Sequence, residues 1–194
     1  LWLETAGVNT LRPVCEVDES GAYSSFAIAQ TAVEEYPTLR PHRIAIGLYS
    51  HGVDGALTRV HRIETDVDGA LTQVPELIGI NRPDLLLLND DDLTYAKIRL
   101  DETSLATALN GIGNITDSLA RALVWGTLWD ATRDGEFAAS RFVDVVLRHI
   151  AAETQSTTLR TLIGQLLLAA AIYVAPERRA ATLERVAEAM WQLA

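Results

Sequence analysis

The spacing of hydrophobic and polar residues changes once along the chain, close to residue 100. Before that point, short apolar runs either alternate with polar residues or stand uninterrupted between turn residues, which is typical of β-strands. After Asp101, apolar residues recur every three or four positions, which indicates amphipathic helices. The pattern predicts an α+β chain in two parts. A β-sandwich of about seven antiparallel strands comes first, and an all-α, antiparallel, solenoid-like domain follows.

The run Leu85–Leu88 is the centre of this pattern, because four leucines follow one another without a polar interruption after Pro83 and Asp84. A strand without a polar interruption is expected to be covered on both faces. After the acidic turn Asn89–Asp92, the sequence alternates again up to Leu100. We interpret these two stretches as the last strand pair of the sandwich and as the hinge into the helical part.

Two similar segments, Val53–Thr58 and Val67–Thr72, each contain an Asp-Gly pair. Asp-Gly between strand-like runs is a strong hairpin signal, because both turn residues must tolerate positive φ. Two such turns around Leu57–Val67 predict a three-stranded meander. Val60 and Ile63 are out of phase within the middle strand, which predicts a β-bulge there. The other strand candidates are Val14–Asp18 and Ala22–Gln30, around a turn at residues 19–21, and Arg43–Tyr49.

The helical part contains a start signal before each apolar stripe. The predicted starts are Asp101 or Thr103, Thr116–Ser118, Ser140, Ser156 or Thr157, and Pro176 at a first helical turn.

Composition limits the classes of function. The 194 residues carry a formal net charge of -10, which argues against nucleic acid and anionic membranes as partners. The single cysteine, Cys15, permits no internal disulfide and fits a reducing, cytoplasmic location. No signal peptide is visible, and the longest apolar run, Leu166–Ala175, is about half of what spans a bilayer. The chain starts without Met and stops within a helical pattern, so we expect a piece of a longer protein.

The residues themselves offer few candidates for chemistry. None of the four histidines (His42, His51, His61 and His149) stands in a His-Glu-x-x-His motif. His149 and Glu153 lie four apart, so one helical turn could present both to a metal, but two ligands leave a zinc site incomplete. We prefer to interpret these two residues as the polar edge of the helix, beside the apolar face that includes Ile150.

Two other groups have simple structural interpretations. The segment Asn89–Asp92 lacks the alternate spacing and the distal glutamate of a calcium loop, so we expect a solvated turn. Cys15 follows Val14 in a strand candidate and is expected to pack. The residues alone therefore predict strands and helices without an active site.

Several stretches resemble the aminopeptidase N family, the gluzincin-type zinc aminopeptidases, in its bacterial form. They are residues 1–11, the segment Tyr36–Arg43, the segment Leu87–Tyr95, and, in the helical part, Arg121–Trp125 and Glu153-Thr154. The resemblance implies a four-part enzyme that hydrolyses peptides with a zinc ion. Residues 1–12 would be the tail of its catalytic domain, residues 13–100 a sandwich that acts as a spacer, and residues 101–194 a truncated helical domain that caps the active-site cavity.

The same resemblance implies that the catalytic machinery lies elsewhere. The zinc motif of the family and its Gly-x-Met-x-Asn exopeptidase motif are absent from these residues. No catalytic, cofactor-binding or metal-binding residue can therefore be assigned here. The zinc would belong to the full-length parent, with none bound by this chain. The implied partners are the rest of the parent enzyme and its peptide substrates.

Two alternatives remain open at this stage. Beside the aminopeptidase interpretation, one alternative is a free-standing interaction module whose helical array binds a peptide or protein. The other is an enzyme with an unusual metal site at His149 and Glu153.

Overall fold

The computed structural model describes residues 4–193, in which seven strands precede five α-helices. The strands are β1 (Thr10–Val17), β2 (Tyr23–Thr31), β3 (His42–His51), β4 (Leu57–Val67), β5 (Leu71–Gln73), β6 (Leu85–Asp90) and β7 (Lys97–Ile98). The helices are α1 (Glu102–Gly111), α2 (Ser118–Arg133), α3 (Ala139–His149), α4 (Ser156–Leu168) and α5 (Pro176–Leu193). The prediction of an α+β chain with strands first is confirmed.

The strands form two sheets, in the orders β5-β2-β1-β7 and β4-β3-β6. The sheets share one hydrophobic core. Leu11, Phe26 and Ile28 come from the first sheet, and Ile44 and Ile46 come from the second. These residues are spaced two apart within β2 and β3, because alternate side chains of a strand point to the same face.

Strand β6 belongs to two cores at once. Leu86 and Leu88 pack in the core between the sheets, whereas Leu85 and Leu87 pack against the helices. All four are almost completely buried, so the predicted two-sided burial is confirmed. Helices α1 and α2 therefore pack against the outer side of β6.

The prediction of wholly antiparallel strands is wrong at β7. This strand does not return along β6 but pairs in parallel with β1, with Thr10 opposite Lys97 and Leu11 opposite Ile98. The connection crosses between the sheets because Asn89, Asp91 and Asp92 all have positive φ, which short polar side chains tolerate. The Asn89 side chain also bonds to the backbone N–H and C=O of Thr94 and holds this crossing in place.

The predicted meander is half correct. Strands β3 and β4 form the expected hairpin, whose turn includes Gly55 at φ +79. The expected bulge lies at Val60, because the pairs Leu48–His61 and Tyr49–Arg59 leave it without a partner. The second Asp-Gly turn leads instead to the other sheet, where β5 pairs with β2. Gln30 directs this change, since its backbone and side-chain N–H groups donate to the C=O groups of Ala70 and Gly69.

Four of the predicted helix starts coincide with the structure. Asp101 caps α1 through the Ser104 N–H, Asp117 caps α2 through the N–H groups of Leu119 and Ala120, and α5 begins at Pro176. Helix α4 begins at Ser156 after Gln155, without a side-chain cap.

Ser140 is not the cap of α3, which begins at Ala139 after an extended Ala138. The reason is the tight connection from α2. The N–H groups of Glu136 and Phe137 both donate to the Ala131 C=O, which brings the chain into the next helix before Ser140.

Candidate functional site

The pair His149 and Glu153 is not presented on one helical turn. Helix α3 ends at His149, a single 3-10 turn follows at Ile150–Ala152, and Glu153 comes after that turn. His149 Nε2 lies 3.3 Å from the Leu109 carbonyl oxygen. Among residues 4–193, no group of three or more His, Cys, Asp or Glu side chains could hold a metal ion.

Glu153 instead forms a buried ion pair with Arg121 of α2. Arg121 Nε and Nη2 each donate to one carboxylate oxygen at 3.0 Å, and the Gln155 N–H donates to the same carboxylate. The two side chains are 8% and 1% exposed. Burial alone would raise the pKa of Glu153, but these hydrogen bonds outweigh it and the pKa is lowered. The carboxylate is therefore ionised and links the start of α2 to the connection between α3 and α4.

The acidic segment Asn89–Asp92 is only in part the solvated turn that its composition predicts, because Asp92 is exposed whereas Asn89 and Asp90 are buried. Asn89 is 2% and Asp90 is 1% exposed. Asp90 accepts hydrogen bonds from Tyr49 Oη and from Arg59 Nη1, both at 2.8 Å. Arg59 and Arg62 also donate to Asp91, and these bonds hold the pKa of Asp91 below its ordinary value against the effect of burial.

Sequence reasoning missed this network because the arginines lie about 30 residues before the aspartates. Gly47 makes room for it, since a Cβ atom there would overlap the Asp90 carboxylate. Burial, and then the hydrogen bond to Asp90, raises the pKa of Tyr49. Asp90, Tyr49 and Arg59 therefore tie the end of β6 to β3 and β4.

Three stretches that carry the family resemblance meet in space at Asn9. Its side-chain N–H donates to the Thr38 carbonyl oxygen at 2.8 Å, while its oxygen accepts from the Arg40 N–H at 3.2 Å and lies 3.3 Å from His42 Nε2. Since that oxygen is an acceptor, His42 carries its proton on Nε2. Nδ1 then accepts from the Thr94 hydroxyl at 2.9 Å. Burial, with a contribution from the Arg40 charge, lowers the pKa of His42. Leu1–Leu3, which belong to the first of these stretches, lie outside the described residues.

The predicted hinge between sheets and helices carries a cluster of ion pairs. Arg99 is buried and donates to Asp134 and Glu136 just beyond the end of α2, at 2.5 and 2.9 Å. Lys97 also pairs with Asp134, and Arg12 pairs with Glu136. The hydrogen bond from Arg99 lowers the pKa of Glu136 to about 2. Charges from β1 and β7 thus hold the connection between α2 and α3 against the first sheet.

The remaining histidines and the cysteine, considered above as candidates for chemistry, lie apart from one another. His51 pairs with Asp84, His61 is exposed on β4, and Cys15 is partly buried against the core between the sheets. Burial raises the pKa of the Cys15 thiol.

A large apolar groove of about 710 Å³ lies between α4 and α5. Its lining includes Leu159, Ile163, Leu167, Leu183 and Met190. Trp191 of α5 is 84% exposed. No helix among the described residues is both long and apolar enough to cross a membrane.

Comparison with known proteins gives two matches. Residues 85–194 match the family model described as the ERAP1-like C-terminal domain. Aminopeptidase N of Streptomyces lividans is 50% identical over 97% of this chain. The chain spans only 23% of the length of that relative.

Proposed function

Since the chain belongs to the ERAP1-like C-terminal domain family, we propose that it is the non-catalytic C-terminal region of a zinc-dependent aminopeptidase that removes N-terminal residues from peptides. The observation that carries this proposal is the 50% identity to aminopeptidase N over nearly the whole chain. The structure supports it in one respect, because the stretches that resemble this family form the contacts around Asn9 and the Arg121–Glu153 pair. A cytoplasmic location, suggested by the single cysteine, is part of the proposal.

The residues described here do not fit a catalytic zinc site, which needs three protein ligands and an open position. No such set of side chains occurs among residues 4–193. The zinc of the parent would be held by residues outside this chain, and the role of this region would be indirect. The sheets, residues 13–100, would form a sandwich that acts as a spacer. Residues 101–194 would cap the active-site cavity, and residues 1–12 would be the tail of the catalytic domain.

We infer that helices α2–α5 begin a longer, solenoid-like array. The groove between α4 and α5 supports this, because its walls continue the helical core at Ile150 and Val186. An exposed apolar groove often marks a contact surface for a further element. In sedimentation experiments the 194-residue chain should therefore self-associate as its concentration rises. Substituting Leu183 and Met190 with lysine should reduce this association, whereas a strictly monomeric wild-type chain would count against the longer array.

The catalytic part of the proposal is tested with a fluorogenic aminoacyl amide. The 194-residue chain should show no turnover, with or without added zinc, because general-base hydrolysis needs a properly held metal and a base beside it. Zinc-dependent turnover that disappears in the His149→Ala variant would overturn the proposal and favour the unusual metal site. A parent gene without His-Glu-x-x-His upstream of this region would overturn it as well.

A further inference from the structure

The exposed face shared by α1 and α3 differs in charge from the rest of this acidic chain. A groove of about 320 Å³ runs between the two helices, and its lining includes Arg141, Asp144 and Arg148. Asp144 is already paired with Arg185 of α5, at 2.5 Å. These four side chains carry three positive charges and one negative charge, whereas the whole chain has a net charge of -10. The groove is therefore a locally positive site on a negative molecule.

Arg141 and Arg148 are held in place without a carboxylate partner among residues 4–193. The Arg141 guanidinium lies over the Phe137 ring, 5.2 Å from its centroid. Arg148 Nη1 lies 3.4 Å from the Leu109 carbonyl oxygen. Neither contact neutralises the positive charge, and a guanidinium has five N–H groups to donate. Both side chains are exposed and keep donors for an anionic group.

The floor and the continuation of the groove suit a polypeptide. Ala106, Leu109 and Val145 form an apolar floor between the arginines and α1. At Ala106 and Asn110 the groove joins a second, polar one of about 600 Å³, whose lining includes Thr107, Asn114 and the carboxylate of Glu102. The positive charge is therefore confined to the part of the groove beside Arg141 and Arg148. Amide and hydroxyl groups along one wall are suitable partners for the N–H and C=O groups of a peptide backbone.

From this arrangement we propose that the α1–α3 groove binds an acidic polypeptide segment supplied by a partner. Arg141 and Arg148 are seven residues apart on one helix, so their Cα atoms are separated by about 10.5 Å at roughly 1.5 Å per residue. A polyproline II segment brings every third residue to the same side, about 9.3 Å apart. The matching ligand therefore has two carboxylates three residues apart in an extended segment. This proposal does not depend on the aminopeptidase assignment.

The test is the anisotropy of a labelled peptide with two glutamates separated by two prolines, titrated with the 194-residue chain. We expect saturable binding that weakens about tenfold for a peptide with glutamines in place of the glutamates, since two charge-assisted contacts are lost. A peptide with adjacent glutamates should also bind more weakly. Binding should fall when the ionic strength is raised from about 0.05 to about 0.2 M.

Two double variants distinguish peptide binding in this groove from non-specific attraction between opposite charges. The double variant Arg141→Gln and Arg148→Gln should bind about tenfold more weakly. The control, Arg133→Gln and Arg160→Gln, removes the same charge from exposed positions outside the groove and should change binding less than about twofold. If the double variant loses its helical circular dichroism, Ala106→Gln places a longer neutral side chain on the groove floor and should also weaken binding.

Three results would overturn the proposal. Equal weakening in both double variants would show non-specific attraction. Equal affinity for the two glutamate spacings would contradict the geometry. Self-association that depends on Arg141 and Arg148, without peptide binding, would assign the groove to a second copy of this chain.

Discussion

The buried ion pair between Arg121 and Glu153 allows a sharp test of how the helices are joined. Replacing Glu153 with Ala leaves the Arg121 guanidinium buried without a counter-charge, because that side chain is only 8% exposed. Breaking one partner of a buried pair costs about 3–5 kcal/mol of unfolding free energy. In a chain of this size, that corresponds to a decrease of roughly 6–20 °C in the melting temperature.

Removing both charges should cost less than removing one. In the double variant Arg121→Met and Glu153→Leu, no charge is left unpaired. The variant still loses the hydrogen bonds to the Gln155 N–H and the Ile115 carbonyl oxygen. Each bond contributes about 1 kcal/mol, so we expect a total loss of roughly 2 kcal/mol. The double variant should therefore be more stable than either of its own single variants, Arg121→Met and Glu153→Leu, which independent contributions cannot produce.

The measurement is thermal unfolding followed by circular dichroism at neutral pH. Glu64 provides a matched control, since its carboxylate also accepts from arginines, Arg43 and Arg62, but on the surface. Glu64→Ala should lower the stability far less than Glu153→Ala does, because a surface ion pair is screened by solvent. A double variant as unstable as the sum of its single variants would refute the argument that the charge left behind, not lost packing, sets the cost.

Acid titration of the same variants gives an independent check. The pKa of Glu153 is lower in the folded chain than the ordinary glutamate value of about 4.3. Its contribution to stability is therefore complete above that value and is lost as the pH falls through the lower folded pKa. The double variant should lose less stability over this acidic range than the wild-type chain does.

Three further predictions concern the sheets. Leu86→Ala and Leu87→Ala should each cost about 2–5 kcal/mol in urea unfolding, although the two side chains point into different cores, whereas exposed Leu71→Ala should cost less than about 0.5 kcal/mol. Gly47→Ala should cost about 1–3 kcal/mol because its Cβ meets the Asp90 carboxylate, and a neutral melting curve would contradict that contact. His42 has a lowered pKa in the folded chain, so stability should be complete above its unfolded pKa of about 6.5 and fall as the pH decreases below it. A His42→Gln variant with the same pH profile would count against this assignment.

Features that depend on neighbouring residues could be predicted from the sequence. The change of period near residue 100 predicted strands and then helices, and the uninterrupted leucines of β6 predicted burial on both faces. The Asp54-Gly55 turn and the caps at Asp101 and Asp117 were also predictable. In each case the responsible groups lie within a few positions of one another, so the local pattern contains the whole cause.

Which distant segments meet could not be predicted from the sequence and is known from the folded chain alone. Strands β5 and β7 pair with the first sheet because of contacts to β2 and β1, and no pattern within β5 or β7 specifies those partners. Whether a charged residue is solvated or buried in an ion pair also depends on distant segments. Asp90 can be buried because Arg59 of β4 donates a hydrogen bond to its carboxylate. Glu153 is paired with Arg121, which lies 32 residues earlier in the sequence. A carboxylate is solvated or buried according to what packs over it, and its own sequence neighbours do not contain that information.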